Sequence, residues 1–322
     1  HFARIAKQYK GASAPGEEGR QARRAGLKWV LSELKNAGLG SLPGGGAEVF
    51  DDRVHDEAYK GKIRSDVWLD VHRVAHEIGL NTNATLLYGH IEQRHDRLVH
   101  MDMLRRAQDE ALARLGYQGV AHEGAQVPRG QGFESAEAGH LGYRPDESNA
   151  PVITLTREGT PLPERVVFAN AESRMANAGS SAFGSSVPSP RSPVPSGYYQ
   201  TIIPLPFFPD GSALEHLPGP TGLENYRTLA IARLMLDNFP HVKAFWIMQT
   251  LPVAQIMLQS GADDIDGTVV WYDITKVGGA STHQEASPWT FQRLIHEAGY
   301  RAIERDTLYR RVIRDGKRWR AE

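Results

Sequence analysis

Cysteine is absent from all 322 residues. That excludes disulfides, thiolate metal sites and cysteine nucleophiles within this stretch of chain. Net charge is nearly absent as well, with 37 Lys and Arg against 38 Asp and Glu, so the overall balance gives no footprint for nucleic acid or an anionic membrane surface. No run approaches the ~20 apolar residues of a membrane helix, and no charged-then-apolar secretory start is present. The expectations are a cytoplasmic location and a small-molecule substrate, with no nucleic-acid or membrane partner. Position 1 holds His1 rather than methionine, and the expectation is that further chain precedes it.

What is present is 40% apolar residues, enough to bury a substantial core. The pattern alternates helix-period and strand-period segments. "RQARRAGLKWVLSELKNAGL" carries Leu27, Val30, Leu31 and Leu34 at helical spacing and ends near Gly38. A short strand and a glycine loop follow, then the helix "SDVWLDVHRVAHEIGL", the strand "NATLLYG" and the long helix "HDRLVHMDMLRRAQDEALARLG". From about Tyr117 to Gly197 the text turns rich in Gly, Ser and Pro and reads as an insertion, part linker and part hairpin, with "PVITLTREG" and "ERVVFANAE" as its two short strands. Alternation resumes with the strand "YYQTIIPLPFFP", the helix "TGLENYRTLAIARLMLDN", the strand "HVKAFWIM", the helix "LPVAQIMLQSGA", the strand "DIDGTVV" and the helix "SPWTFQRLIHEAG". Strands separated by helices imply parallel pairing. The expected fold is α/β, a β/α barrel or partial barrel, divided as 1–116, an insertion at 117–197, and 198–322.

Two strand-to-helix loops share a layout. "LPGGGAE" and "LLYGHIE" each run from an apolar strand through glycine to a glutamate. In a barrel both fall on one face, where Gly44, Gly45, Gly46 and Gly89 would leave backbone open to a flat or phosphate-like ligand. Glu48 and Glu92 would bind its hydroxyls or amine, or cap the next helix. His90 sits between Gly89 and Glu92, a position suited to acid–base or hydrogen-bonding work. Pro204, Pro206 and Pro209 bring a third strand end to that face and suit either a pocket wall or a plain strand terminator. His72 and His76 have i, i+4 spacing, but with no acidic or third ligand beside them they read as a surface or core pair, and no metal site is expected. In "GADDIDGT", Asp263, Asp264 and Asp266 raise a divalent metal site, while Asp263 and Asp264 read better as turn and capping residues. Gly267 and Thr268 then offer a backbone amide and a hydroxyl to a carboxylate. Arg227 and Arg233 read as surface or ion-pair residues, and "ERDTLY" as a strand exit whose polar residues seal the barrel.

Taken in order, "SLPGGGAEVF", "WLDVHRVAHEIGLNTNATLLYGHIE", "LRRAQDE", "IIPLPFFP", "RTLAIARLMLDNFPHVKAFWIM", "GADDIDGTVV" and "ERDTLY" resemble the C-terminal two-thirds of the aminofutalosine synthases. These are radical S-adenosylmethionine enzymes of the futalosine route to menaquinone. The resemblance covers nearly everything outside the insertion. It implies a TIM-like barrel in which Gly44, Gly45, Gly46, Glu48, Gly89, Glu92 and Pro204 face S-adenosylmethionine, His90 acts at the reaction, and Gly267 and Thr268 bind substrate. It also implies a reaction: a reduced [4Fe-4S] cluster cleaves S-adenosylmethionine, and the 5′-deoxyadenosyl radical adds to 3-[(1-carboxyvinyl)oxy]benzoate, giving aminodeoxyfutalosine with loss of carbon dioxide. An electron donor such as flavodoxin or ferredoxin is implied too. The sister family, the dehypoxanthine futalosine cyclases, shares the glycine-loop type and is the alternative; a half-barrel that binds nucleoside-like ligands without catalysis is another. The sequence departs from the family at the CxxxCxxC cluster loop, which is missing, and at Trp271 and Tyr272, where acidic residues are expected. The chain alone is therefore expected to be inactive, as a fragment or as one half of a split protein.

Overall fold

A computed structural model describes residues 8, 10–12, 14–117, 165–166, 196–267, 286–316 and 318–322. Five parallel strands make its sheet: β1 (Ser41–Leu42), β2 (Asn81–Tyr88), β4 (Tyr199–Pro206), β5 (His241–Ala244) and β6 (Asp264–Ile265), hydrogen-bonded in that order. Between them run α1 (Gly16–Asn36), α2 (Asp52–Ala58), α3 (Ser65–Glu77), α4 (Arg94–Arg114), α5 (Gly222–Met235), α6 (Trp246–Gln249), α7 (Leu251–Leu258) and α8 (Pro288–Glu297). Strand order follows chain order, as sequential crossovers produce, so every β-to-α loop leaves the same edge. The arrangement is an α/β fold with a parallel sheet.

Helix α1 begins earlier than the periodicity suggests, at Gly16, and Leu34 lies on its exposed side. Beneath α1, α3 and β1, the residues Leu27, Leu31, Leu42, Val71, Val74, Ala75 and Leu80 form one small core. The larger core lies between the sheet and α3, α4, α5 and α7, where Ala84, Leu86, Tyr88 and Ile202 meet Trp68, Leu104, Leu229 and Met257. His72 and His76 belong to this interior. His72 stacks on Trp68 (3.6 Å between ring centroids) and lies beside Tyr199 (5.4 Å), while His76 lies 2.8 Å from the Thr82 hydroxyl through Nε2. Burial holds both well below the ordinary imidazole value, so both are neutral spacers.

Pro204 and Pro206 sit inside β4. Phe207 N–H donates to Tyr88 O, so odd-numbered residues here face β2 and the missing N–H groups of the two prolines fall on the β5 side. Pairing with β5 is confined to Thr201 and Ile202. The prolines therefore stop that ladder without leaving a donor to satisfy.

One expectation changes. "HVKAFWIM" is not one strand, because β5 ends at Ala244 and Trp246 opens α6. Of the two insertion strands, "PVITLTREG" lies outside the described residues, while within "ERVVFANAE" the residues Arg165–Val166 (β3) pair in parallel with Tyr300–Arg301 (β7). Finally, β8 (Val312–Asp315) and β9 (Arg318–Ala321) form an antiparallel pair. No described helix is long and apolar enough to cross a membrane.

Candidate functional site

The loop after β1 runs along β2 as an irregular continuation of the sheet. Thr85 donates its hydroxyl to Gly44 O at 2.7 Å, Trp68 Nε1 donates to Gly45 O at 3.3 Å, and Leu87 N–H donates to Glu48 O at 3.0 Å. A methyl group on Gly44 would lie 2.6 Å from Asn83 O and 2.7 Å from the Ala84 backbone. What comes too close to Gly44 for a side chain is therefore strand β2 itself. Gly45 and Gly46 differ, since a methyl there would meet nothing within 4 Å, and Gly46 has φ +85°. Their backbone is open, over a shallow depression lined by Gly46, Glu48, Phe50, His55, Lys62 and Ile63. Glu48 has φ +48°, a left-handed conformation that is strained for a side-chain-bearing residue, and it pairs with Lys62.

His100 of α4 locks this loop to the sheet. Phe50 N–H donates to its Nδ1 at 3.1 Å and its Nε2 donates to Thr85 O at 3.1 Å, which fixes the neutral tautomer. Burial lowers its pKa to about 3, with the bond to Thr85 opposing.

The turn after β2 is held from inside. Gly89 N–H and His90 N–H donate to the Glu92 carboxylate at 2.6 and 2.9 Å, and Arg97 Nε donates to it at 2.7 Å. Arg97 continues to Glu224 (2.6 Å) and to the Thr228 hydroxyl (3.1 Å) on α5, so the turn is bolted to two helices. Gly89 has φ +92°, and a methyl there would strike the Pro220 ring at 2.6 Å. The His90 side chain is fully buried, and its Nε2 lies 2.9 Å from Tyr59 Oη. Burial, then the charges of Glu48 and Glu92, raise the Tyr59 phenol, which stays protonated. The same Nε2 lies 3.3 Å from Leu87 O, and Nδ1 lies 3.3 Å from Glu92 Oε2 without a hydrogen-bond partner. Burial lowers His90 although Glu92 opposes it, leaving the ring neutral. Phe207, after β4, meets the His90 ring edge-on at 5.8 Å.

At the far end of the sheet a charged cluster fills the face opposite the helices. Arg305 donates twice to Asp264, at 2.9 and 2.6 Å, and Tyr309 donates to the same carboxylate at 2.6 Å. Burial pushes Asp264 up, but Lys243, Arg305 and Tyr309 more than offset it and hold it at about 2. Tyr309 stacks on His241 with ring centroids 4.1 Å apart, and Leu308 reaches the backbone at Gly40. The "ERDTLY" segment thus crosses from β6 to the approach to β1.

His90, Gly44, Gly45, Gly46, Glu48, Gly89 and Glu92 gather at one edge of the sheet, in the loops after β1 and β2. Within that group Gly44, Gly89 and Glu92 are engaged by the protein's own atoms, whereas Gly45 and Gly46 are open. Pro204 lies within β4 and is buried. Gly267 stands after β6, where its carbonyl accepts from Trp246 Nε1 at 3.2 Å; Thr268, Trp271 and Tyr272 lie outside the described residues. Asp263 ties neighbouring elements together and does not cap a helix, accepting from Val242 N–H of β5 at 2.8 Å and from Arg233 at 3.1 Å, while Asp264 is a strand residue and not a turn residue. Among the described residues no group of three or more His, Cys, Asp or Glu side chains is placed to hold a metal ion. The sequence reading missed Tyr59, Arg97 and Lys243, and it named Arg305 and Tyr309 only as part of the sealing segment "ERDTLY". For Lys243 a signal existed, a lysine inside an otherwise apolar strand.

Comparison with known proteins follows the same lines. Residues 196–315 match the CofH/MqnC C-terminal region. The chain is 34% identical over 287 residues to the aminodeoxyfutalosine synthase of Thermus thermophilus, a match covering 88% of this chain and 54% of that protein. It is 31% identical over 285 residues to the aminodeoxyfutalosine synthase of Streptomyces coelicolor, covering 87% and 53%. A 5-amino-6-(D-ribitylamino)uracil–L-tyrosine 4-hydroxyphenyl transferase of Methanosphaerula palustris is 28% identical over 300 residues, covering 92% and 60%. The chain spans little more than half the length of these relatives. It carries a CofH/MqnC C-terminal region and is similar over most of its length to the aminodeoxyfutalosine synthases.

Proposed function

We propose that this chain supplies the cofactor- and substrate-facing part of a radical S-adenosylmethionine enzyme that makes aminodeoxyfutalosine from 3-[(1-carboxyvinyl)oxy]benzoate. The observation that carries the proposal is the meeting of the open Gly45–Gly46 backbone and the turn around His90 at one edge of a parallel sheet, where ligands of such sheets bind. The residues fit S-adenosylmethionine, since bare backbone and a neutral, buried imidazole suit a nucleoside better than a charged group would. They do not fit a [4Fe-4S] cluster, because no cysteine is among them. The cluster thiolates, and the docking of an electron donor such as flavodoxin or ferredoxin, are assigned to chain outside this sequence.

When bound in the complete enzyme, S-adenosylmethionine supplies the 5′-deoxyadenosyl group. The chain's own residues then do four things. Gly45 and Gly46 let the ligand approach the backbone, Gly44 sets that loop against β2, Glu92 and Arg97 fix the turn, and His90, held by Tyr59, fills the interior of that turn and keeps its backbone in place beneath the ligand. Gly267 and Thr268 would meet the substrate at the β6 end.

Isothermal titration of the purified chain with S-adenosylmethionine tests this. Saturable binding is expected, weakened about tenfold in His90→Ala, which empties the interior of the turn and lets its backbone shift. A folded chain that does not bind S-adenosylmethionine sinks the proposal. The archaeal relatives favour a second reading, and L-tyrosine binding in preference to the benzoate substrate would support it.

A further inference from the structure

Lys243 and Asp266 stand apart from the turn around His90 and are not explained by it. Lys243 is the third residue of β5, and Asp266 follows the last residue of β6, so both lie toward the edge from which the β-to-α loops leave. Lys243 is buried, and among the described residues its ammonium makes one hydrogen bond, to Asp266 Oδ1 at 2.8 Å. Asp264 Oδ2 is 3.6 Å away, too far to share a proton, and is already taken by Arg305 and Tyr309. Two ammonium hydrogens are thus unspent. Asp266 Oδ2 is likewise buried and has no hydrogen-bond partner. Such a pair is half-satisfied, with spare donors on one member and a spare oxygen on the other, which is unfavourable in a packed interior unless something completes it. The pair is also well anchored: Trp246 Nε1 donates to Asp266 O at 3.0 Å, fixing where the carboxyl group starts.

We propose that Lys243 and Asp266 form a carboxylate-binding subsite, in which the carboxylate of a small ligand takes the place on the Lys243 ammonium that the Asp266 side chain holds in its absence. Charge supports the exchange. Lys243 and Arg305 together balance Asp264 and Asp266, so if Asp266 takes up a proton the cluster is left with one positive charge to pair with one external negative charge. Burial, then the neighbouring Asp264, raises the Asp266 pKa, with Lys243 and Arg305 opposing. Among the described residues, the groups facing Asp266 are Lys243 from β5, Asp264 from β6 and Arg305 from the segment beyond β7; Tyr309 and His241 bond to Asp264 and Asp263 instead. A protonated Asp266 would also donate its own hydrogen to the incoming carboxylate, giving it two partners.

The subsite rests on the proposed function only for the choice of an aromatic carboxylate as probe. The test is a titration of the folded chain with sodium benzoate and with benzamide, its neutral isostere, at mildly acidic and mildly basic pH. Benzoate should bind about tenfold more tightly than benzamide, as one charge-assisted hydrogen bond predicts, and the preference should grow as the pH falls. Lys243→Met should abolish it. Because that variant strands two carboxyl groups and can fail to fold, Asp266→Asn is the deciding one. Removing the internal competitor should tighten benzoate binding at basic pH and flatten its pH dependence, which a merely structural aspartate would not do. Benzoate binding that stays equal to benzamide binding, or an Asp266→Asn variant that binds benzoate no better, overturns the proposal. S-adenosylmethionine binding without benzoate preference would sink this subsite alone, and the reverse pattern would sink the function proposed above alone.

Discussion

Glu48, after β1, keeps its carboxylate near the surface beside the half-exposed Lys62, whereas Glu92, after β2, turns its carboxylate inward to two backbone N–H groups and Arg97. The two loops carry the same order of strand, glycine and glutamate, yet the glutamate of one stands on an open rim and that of the other inside a bolted turn. The difference comes from what lies behind each. Behind Glu92 stand α4 and α5, whose Arg97, Glu224 and Thr228 complete a buried network. Behind Glu48 there is the shallow depression and solvent. A glutamate near a site can therefore hold the site's shape or meet its ligand, and the surrounding polar groups decide which.

The sharpest way to break the comparison is to make the same change twice. Glu92→Gln removes the negative partner of a buried arginine and should destabilise the chain by about 3–5 kcal/mol, while Glu48→Gln removes one surface ion pair and should change stability by about 0–1 kcal/mol. Urea unfolding of both variants measures it, and equal effects would mean that the buried network is not holding the turn. Next in size are the glycines. Gly89→Ala and Gly44→Ala each drive a methyl into neighbouring atoms and should cost about 1–3 kcal/mol, the former with added strain from its positive φ, whereas Gly45→Ala should be nearly neutral in stability. If Gly45 serves the ligand, its alanine variant should weaken S-adenosylmethionine binding while leaving the unfolding midpoint in place.

The most graded effect is acid. His76 and His100 have folded pKa values of about 3 against an ordinary 6.5, so the unfolded chain binds the proton first. Their stability contribution is complete above pH 6.5, falls as the pH drops from 6.5 toward 3, and is gone below that. Each adds a slope of about 1.4 kcal/mol per pH unit within that window. Because His100 joins Phe50 to Thr85, acid should loosen the glycine loop before it loosens the turn around His90. Hydrogen exchange of Phe50 and His90 amides across that window distinguishes the two loops; identical exchange profiles would argue against His100 as the clamp.

Much of this was legible from residue order. Period-3.6 and period-2 patterns located α1, α3, α4, β2 and β4, and the common edge of the loops followed from parallel pairing. The jobs within the loops were not legible. Gly44 is required by β2, some forty residues on, and nothing near it in sequence says so. "FWIM" is apolar without period, so strand and helix fit it equally; the helix is set by Trp246 reaching the carbonyls of Asp266 and Gly267, with Thr250 at φ +72° between α6 and α7. Asp264 looked like one more turn aspartate, because the arginine and tyrosine that claim it stand on the far side of α8.

That claim has a kinetic consequence. Arg305 and Tyr309 clamp Asp264 and His241, and Leu308 of the same segment rests on Gly40, so the sheet is finished by contacts between residues very far apart in sequence. Closing such distant pairs raises the contact order of the fold and slows its final step. During synthesis on the ribosome, strands β1 to β6 would be made and waiting, with the buried carboxylate of Asp264 still unmatched, until the segment carrying Arg305 emerged.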